Sequence, residues 1–233
     1  MTRKPEPVKD ALFDVGGRTY LIAGAGGGLG SVMAEALHQR GARLVLFDTD
    51  EAALERVGNA IPDALTRVAD MNNQTDLSEM VQLTQDRFGK IDGAINAAGL
   101  LPMAAATTFD EAIFRECIDV NLTAAFLFSR TVAEHMQDSG GRIVHIASVS
   151  SFVANPEYAA YAGSKAGLTQ MVRVLAREWA PKNILINAIG PALTETPLTF
   201  NTTSPGNRPA LSAALPAAMP VTRSSLLCGL ASV

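Results

Sequence analysis

Six short apolar runs, near Tyr20, Leu44, Ala64, Gly93, Arg142 and Asn183, are separated by segments of helical length. This alternation constrains the fold more than any other feature of the sequence. Short apolar strands alternating with helices predict a parallel sheet covered on both faces, because each strand needs a crossover to run beside the last. At 233 residues one α/β domain of this doubly wound kind suffices.

The first run enters a glycine-rich turn, Ala23-Gly24-Ala25-Gly26-Gly27-Gly28-Leu29-Gly30, and a helix-forming segment follows from Ser31 to Arg40. Glycine permits close backbone approach, and amides at a helix start favour a phosphate. Such a turn can also be an ordinary tight one. The second run, Arg43 to Phe47, ends in Asp48, about twenty residues beyond the glycines, where a ribose-binding carboxylate belongs. That charge would accept bonds from both ribose hydroxyls and repel a 2′-phosphate, favouring NAD over NADP. Asp48 could equally cap a helix over Thr49 to Val57, and both roles could coexist.

A second cluster lies downstream. Tyr161 and Lys165 are four residues apart, so on a helix the phenol and ammonium share a face. A nearby ammonium would lower the phenol's proton affinity and suit it to acid/base work. Ser148 follows the apolar run Ile143 to Ile146 and is expected at the carboxyl end of a strand, where open parallel sheets bind ligands.

Together these residues resemble the short-chain dehydrogenase/reductase family, in its GxxxGxG, Tyr-x-x-x-Lys branch, from about Gly17 to about Thr199. The resemblance implies a Rossmann-like fold and an oxidoreductase that transfers a hydride between NAD and an alcohol or carbonyl substrate. Gly24, Gly28 and Gly30 match the glycine pattern, with Leu29 between them, and Asp70-Met71 matches the pair that contacts adenine. Asn96-Ala97-Ala98-Gly99 matches the motif that steadies the central sheet. Asn121, Ser148, Tyr161 and Lys165 match the catalytic tetrad, and Pro191, Thr194 and Thr196 fall in the segment that holds the nicotinamide carboxamide. By that resemblance Tyr161 is the general acid/base, Lys165 lowers its pKa and holds the ribose, Ser148 binds the substrate oxygen, and Asn121 anchors a relay water.

Three departures accompany the match. Ala23 stands where the family usually has threonine, and Ala192 replaces the glycine after Pro191. After Pro220-Val221-Thr222-Arg223 only ten residues remain, so the last family strand is expected to be missing, leaving Ile184 to Ile189 as a sheet edge. This gives an expected organisation of a loose arm over residues 1–14, an NAD(P)-binding catalytic domain over 15–200, and a shortened, substrate-lid-like tail over 201–233. A dinucleotide-binding protein with little turnover is the alternative. The segments Ser150 to Tyr158 and beyond Thr196, which would build the substrate pocket, name no ligand.

The composition, 48% hydrophobic and 18% charged with a net charge of −4, gives no basic footprint for nucleic acid. No apolar run is long enough for a membrane helix, and Met1 to Asp14 is charged and proline-containing rather than leader-like. Cys117 and Cys228 have no metal-ligand spacing, and a cytoplasmic, reduced chain is expected. His38, His135 and His145 carry no catalytic signature; His145 reads as a satisfied buried histidine. The long helices expected over 111–136 and 158–179 resemble the family's four-helix interface and imply a homodimer or homotetramer.

Overall fold

The computed structural model describes residues 14–196, 198–199 and 219–220. The expected arm and lid-like tail lie outside these residues, apart from Asp14 and the short pair at 219–220.

Six strands form one sheet: β1 (Thr19–Ala23), β2 (Arg43–Asp48), β3 (Leu65–Val68), β4 (Gly93–Asn96), β5 (Gly141–Ile146) and β6 (Ile184–Ile189). Their spatial order is β3-β2-β1-β4-β5-β6, and every neighbouring pair is parallel. The order reverses between β1 and β4. Crossovers diverge there, so a crevice opens at the carboxyl ends of those two strands.

The strand residues alternate between two cores, as a two-residue repeat requires. Leu44 and Leu46 of β2 join Ile22, Leu54, Val57 and Ile61 on the face covered by α1 (Gly28–His38) and α2 (Glu51–Ala60). Val45 and Phe47 join Leu21, Phe128, Ile143 and Leu168 on the other face. That face is covered by α3 (Gln74–Phe88), α5 (Ala124–His135) and α6 (Ala159–Trp179).

Helix boundaries follow local chemistry. Asp50 caps α2 by accepting the Ala53 N–H at 3.0 Å, Asn73 caps α3, and Gly89, at φ 79°, ends α3 in the left-handed conformation. The helix expected to start at Thr49 therefore starts at Glu51, and its cap is Asp50 rather than Asp48. The helix expected over 111–136 is interrupted: α4 (Glu111–Ile118) passes through a π-helical turn, Asp119–Thr123, into α5. Among the described residues β6 is an edge of the main sheet, as expected. A separate parallel pair joins β7 (Thr194–Glu195) to β8 (Met219–Pro220). No helix among the described residues is long and apolar enough to cross a membrane.

Candidate active site

The glycine turn joins β1 to α1 across the crevice. Gly24 has φ +70°, and a Cβ there would lie 2.5 Å from the Ala98 nitrogen, so both conformation and space demand glycine. A Cβ on Gly30 would overlap the Gly24 carbonyl oxygen. Gly27 precedes α1 without a side-chain cap. The first-turn amides of Gly28, Leu29 and Gly30 have no intrahelical partner by geometry, which leaves donors at the mouth of the turn.

Asp48 ends β2 beside this turn. Its Oδ2 accepts the Gly26 N–H at 2.9 Å and its Oδ1 accepts the Asp50 N–H at 3.0 Å. Each oxygen keeps further acceptor capacity. Asp70 and Met71 follow β3 at the same end of the sheet. Asp70 is exposed, with Oδ1 accepting from the Asn72 backbone at 2.8 Å, whereas Met71 is buried. A glycine-walled turn, helix-start amides and a ribose-side carboxylate fit a dinucleotide.

Asn96 closes β4. Its Oδ1 accepts the Ala98 N–H at 3.0 Å, and Ala97 donates to the Ala23 carbonyl at 2.9 Å, tying the segment through Gly99 to β1. The Asn96 amide also reaches His145 Nδ1 at 3.2 Å, and His145 Nε2 lies 2.7 Å from Ser129 Oγ. Because the Asn96 amide is a donor and Ser129 donates to the Ala125 carbonyl at 2.8 Å, the ring is neutral with its proton on Nε2. Burial, aided by the charge of Lys165, pushes His145 down to about 3. The histidine is thus buried and satisfied, as expected.

Ser148 lies two residues beyond β5, and its Oγ accepts the Ser150 N–H at 3.1 Å. Tyr161 and Lys165 sit one turn apart on α6, with Lys165 Nζ 5.9 Å from the Tyr161 ring centroid. Lys165 is only 4% exposed, and its Nζ donates to the Ile146 carbonyl at 2.8 Å. Burial pushes the ammonium down to about 8, against a contribution from Cys117 that raises it. Burial also pushes the Tyr161 phenol up, while its hydrogen bond with Ser148 pulls it down. This differs from the expected lowering by Lys165: the ammonium is spent on Ile146, and desolvation prevails.

Asn121 lies within the π-helical turn and is 1% exposed. Its Oδ1 accepts the Leu100 N–H at 2.7 Å, and its Nδ2 donates to the Leu100 carbonyl at 2.9 Å. A Cβ on Gly99 would lie 3.1 Å from Asn121 Oδ1 and 3.3 Å from Lys165 Nζ, so both side chains converge on Gly99. The four expected catalytic residues are therefore gathered at the carboxyl ends of β4 and β5.

The segment after β6 reaches the same place. The Pro191 carbonyl accepts the Val149 N–H at 3.1 Å, Thr194 Oγ1 donates to the Ala192 carbonyl at 2.9 Å, and Thr196 is buried, its N–H donating to Thr199 Oγ1 at 3.0 Å. Sequence reasoning overlooked two residues here. Ser164 donates to the Tyr161 carbonyl at 2.7 Å and accepts from Asn121 at 3.0 Å; Cys117, buried, stands 3.4 Å from the Asn121 amide. The only signal for Cys117 was its place four residues before Asn121 on a helix.

Comparison with known proteins agrees with this geometry. The short chain dehydrogenase family profile matches residues 18–206. The chain is 33% identical over 190 residues to 3-oxoacyl-[acyl-carrier-protein] reductase FabG of Rickettsia prowazekii (strain Madrid E), covering 81% of this chain and 77% of that one. It is 32% identical over 191 residues to an NAD-dependent glycerol dehydrogenase of Listeria innocua, covering 81% and 75%. Among solved structures, a 3-ketoacyl-(acyl-carrier-protein) reductase from Brucella melitensis complexed with NADH superposes with TM-score 0.82 at 28% identity, covering 94% and 92% of the two chains. Levodione reductase superposes with TM-score 0.77 at 35% identity, covering 80% and 76%. With its parallel six-stranded sheet and glycine turn, the chain belongs to the short-chain dehydrogenase family, oxidoreductases that use nicotinamide dinucleotides.

Proposed function

We propose that this protein is an NAD-dependent oxidoreductase that interconverts an alcohol and its carbonyl compound, with Tyr161 as general acid/base. The observation that carries this reading is the convergence of Asn121 and Lys165 on Gly99 together with the hydrogen bond between Tyr161 and Ser148, at the same end of the sheet as Asp48 and the glycine turn. Bound nicotinamide supplies or accepts the hydride.

The chain's own residues handle the rest. Ser148 donates a hydrogen bond to the substrate oxygen and offsets negative charge as it develops. Tyr161 gives a proton to that oxygen in reduction and takes it back in oxidation. Lys165, bonded to the Ile146 carbonyl, holds the ribose beside Gly99, and the phenol is tuned by burial and by its hydrogen bond with Ser148. Asn121, clamped to Leu100, orders the floor of the site and the relay water. Asp48 accepts from the adenosine ribose hydroxyls, with Asp70 and Met71 on the adenine side. Gly24, Gly28, Leu29 and Gly30 approach the pyrophosphate, and Pro191, Thr194 and Thr196 meet the carboxamide.

The NADH complex of the Brucella relative and the NAD-dependent activity of the Listeria relative support the cofactor choice. Exposed apolar side chains on the outer helices, Ile113, Phe114, Phe126 and Val174, support a homo-oligomer through α4, α5 and α6.

Titration calorimetry with NAD and NADP on wild type and Asp48→Ala tests the cofactor assignment. NAD should bind wild type more tightly, and removing the carboxylate should weaken NAD by about ten-fold, on the order of 1.4 kcal/mol. Tighter binding of NADP by the wild type would contradict it. A dehydrogenase and reductase screen with glycerol, levodione and a 3-oxoacyl thioester then addresses the substrate class.

A further inference from the structure

Beneath Tyr161 and Lys165 lies a buried polar cluster that the assigned chemistry does not use. Cys117 of α4 is 0% exposed, and Ser164 of α6 is likewise buried. Between them stands the Asn121 amide. Its oxygen accepts from the Leu100 N–H, and its nitrogen faces three acceptors: the Leu100 carbonyl at 2.9 Å, Ser164 Oγ at 3.0 Å and Cys117 Sγ at 3.4 Å.

An amide nitrogen has two hydrogens. One meets the Leu100 carbonyl, and the other points between Ser164 Oγ and Cys117 Sγ. Ser164 is itself oriented, because its hydroxyl hydrogen goes to the Tyr161 carbonyl at 2.7 Å, leaving a lone pair for Asn121. The thiol lies 3.9 Å from both the Leu100 carbonyl and Ser164 Oγ, so it completes a closed ring of contacts around the amide. α4, α6 and the Gly99–Leu100 segment are thereby joined at one side chain.

We propose that Cys117 is a positioning residue for this site: its sulfur, as an acceptor beside Ser164, holds the Asn121 amide against Leu100 and so fixes the surroundings of Lys165. The thiol touches neither of the reacting groups. It acts through Asn121, whose oxygen shares with Lys165 Nζ the space in front of Gly99. Rotation of the amide would turn an N–H toward that space in place of a carbonyl oxygen, against a buried ammonium. Cys117 and Lys165 also influence one another directly; beside them, Glu116 on α4 acts on the thiol, Tyr161 on α6 faces both, and His145 on β5 feels the charge of Lys165.

The inference rests on the cofactor reading above, and two substitutions separate acceptor from filler. Cys117→Ser keeps a lone pair and loses volume; Cys117→Val keeps volume and loses the lone pair, leaving the second amide hydrogen with Ser164 alone. NADH affinity, followed by fluorescence titration between pH 6 and 10, reports the ionisation of Lys165. Wild type and Cys117→Ser should share one inflection, while Cys117→Val displaces it by about half a unit and weakens NADH by about three-fold. The same displacement should appear without cofactor in the pH dependence of the thermal midpoint. A valine variant that titrates like wild type, or a serine variant displaced as far as valine, overturns the proposal. If Cys117→Val does not fold, Cys117→Ala loses the lone pair while losing volume as Cys117→Ser does, and an inflection for Cys117→Ala that matches that of Cys117→Ser is equally contrary. Failure of the wild type to bind NADH at all would instead remove the cofactor reading.

Discussion

At the scale of single residues, two buried bases tie stability to pH in separate windows. His145 is neutral in the fold, with its value pushed down to about 3, whereas an unfolded histidine titrates near 6.5. Between those values the unfolded chain binds the extra proton, so stability rises with pH there and is lost on acidification, by about 1.4 kcal/mol per unit at most. His145→Asn should flatten this slope in urea unfolding measured from pH 6.5 to 4; an unchanged slope would count against the neutral assignment. Lys165 behaves similarly at the alkaline end. Its folded value of about 8 lies below the ordinary 10.5, so the unfolded chain holds the proton longer and stability rises between them. The wild type should therefore gain up to about 3 kcal/mol over Lys165→Met across that window. A constant difference between the two proteins would refute the burial of a charged lysine. Tyr161, Lys165 and Ser148 were legible from spacing and from the strand before Ser148. The direction in which Tyr161 moves was not, because it depends on desolvation and on Ile146, which no spacing reveals.

At the scale of elements, the strand-to-helix turn is the most demanding local structure. Gly24 and Gly30 approach so closely that neither admits a side chain, and both positions were readable as glycines in a turn after an apolar strand. Gly30→Ala should force α1 away from β1, costing about 1–3 kcal/mol in thermal unfolding and abolishing NADH binding. Retention of both would show that the turn yields easily. Strands were readable because each feeds apolar residues alternately into two cores, and all six expected strands are present. Helix ends were harder. Asp48 and Asp50 offer the same side chain two residues apart, and only the backbone reveals that Asp50 caps α2 while Asp48 turns to Gly26. The π-helical turn carrying Asn121 was also illegible, since residues 111–136 read as one uninterrupted helix. Its presence coincides with the side chain that clamps Leu100.

At the scale of the whole molecule, one sheet with a core on each face brings residues from most of the chain to a single crevice. The outer surfaces of α4, α5 and α6 carry exposed apolar side chains among their charged residues, with Phe114 and Phe126 each 39% exposed. Sedimentation equilibrium should find a homo-oligomer that Phe114→Glu with Phe126→Glu shifts toward monomer; a monomeric wild type would contradict the interface. Proton transfer at Tyr161 is read out by single-turnover reduction. Wild type and Tyr161→Phe, each saturated with NADH, are mixed with a carbonyl compound found in the screen, and loss of nicotinamide fluorescence is followed in stopped flow. NADH should bind both proteins equally, with hydride transfer slowed by at least 10²-fold in the phenylalanine variant, on the order of general acid catalysis. Transfer at the wild-type rate without the phenol would contradict it.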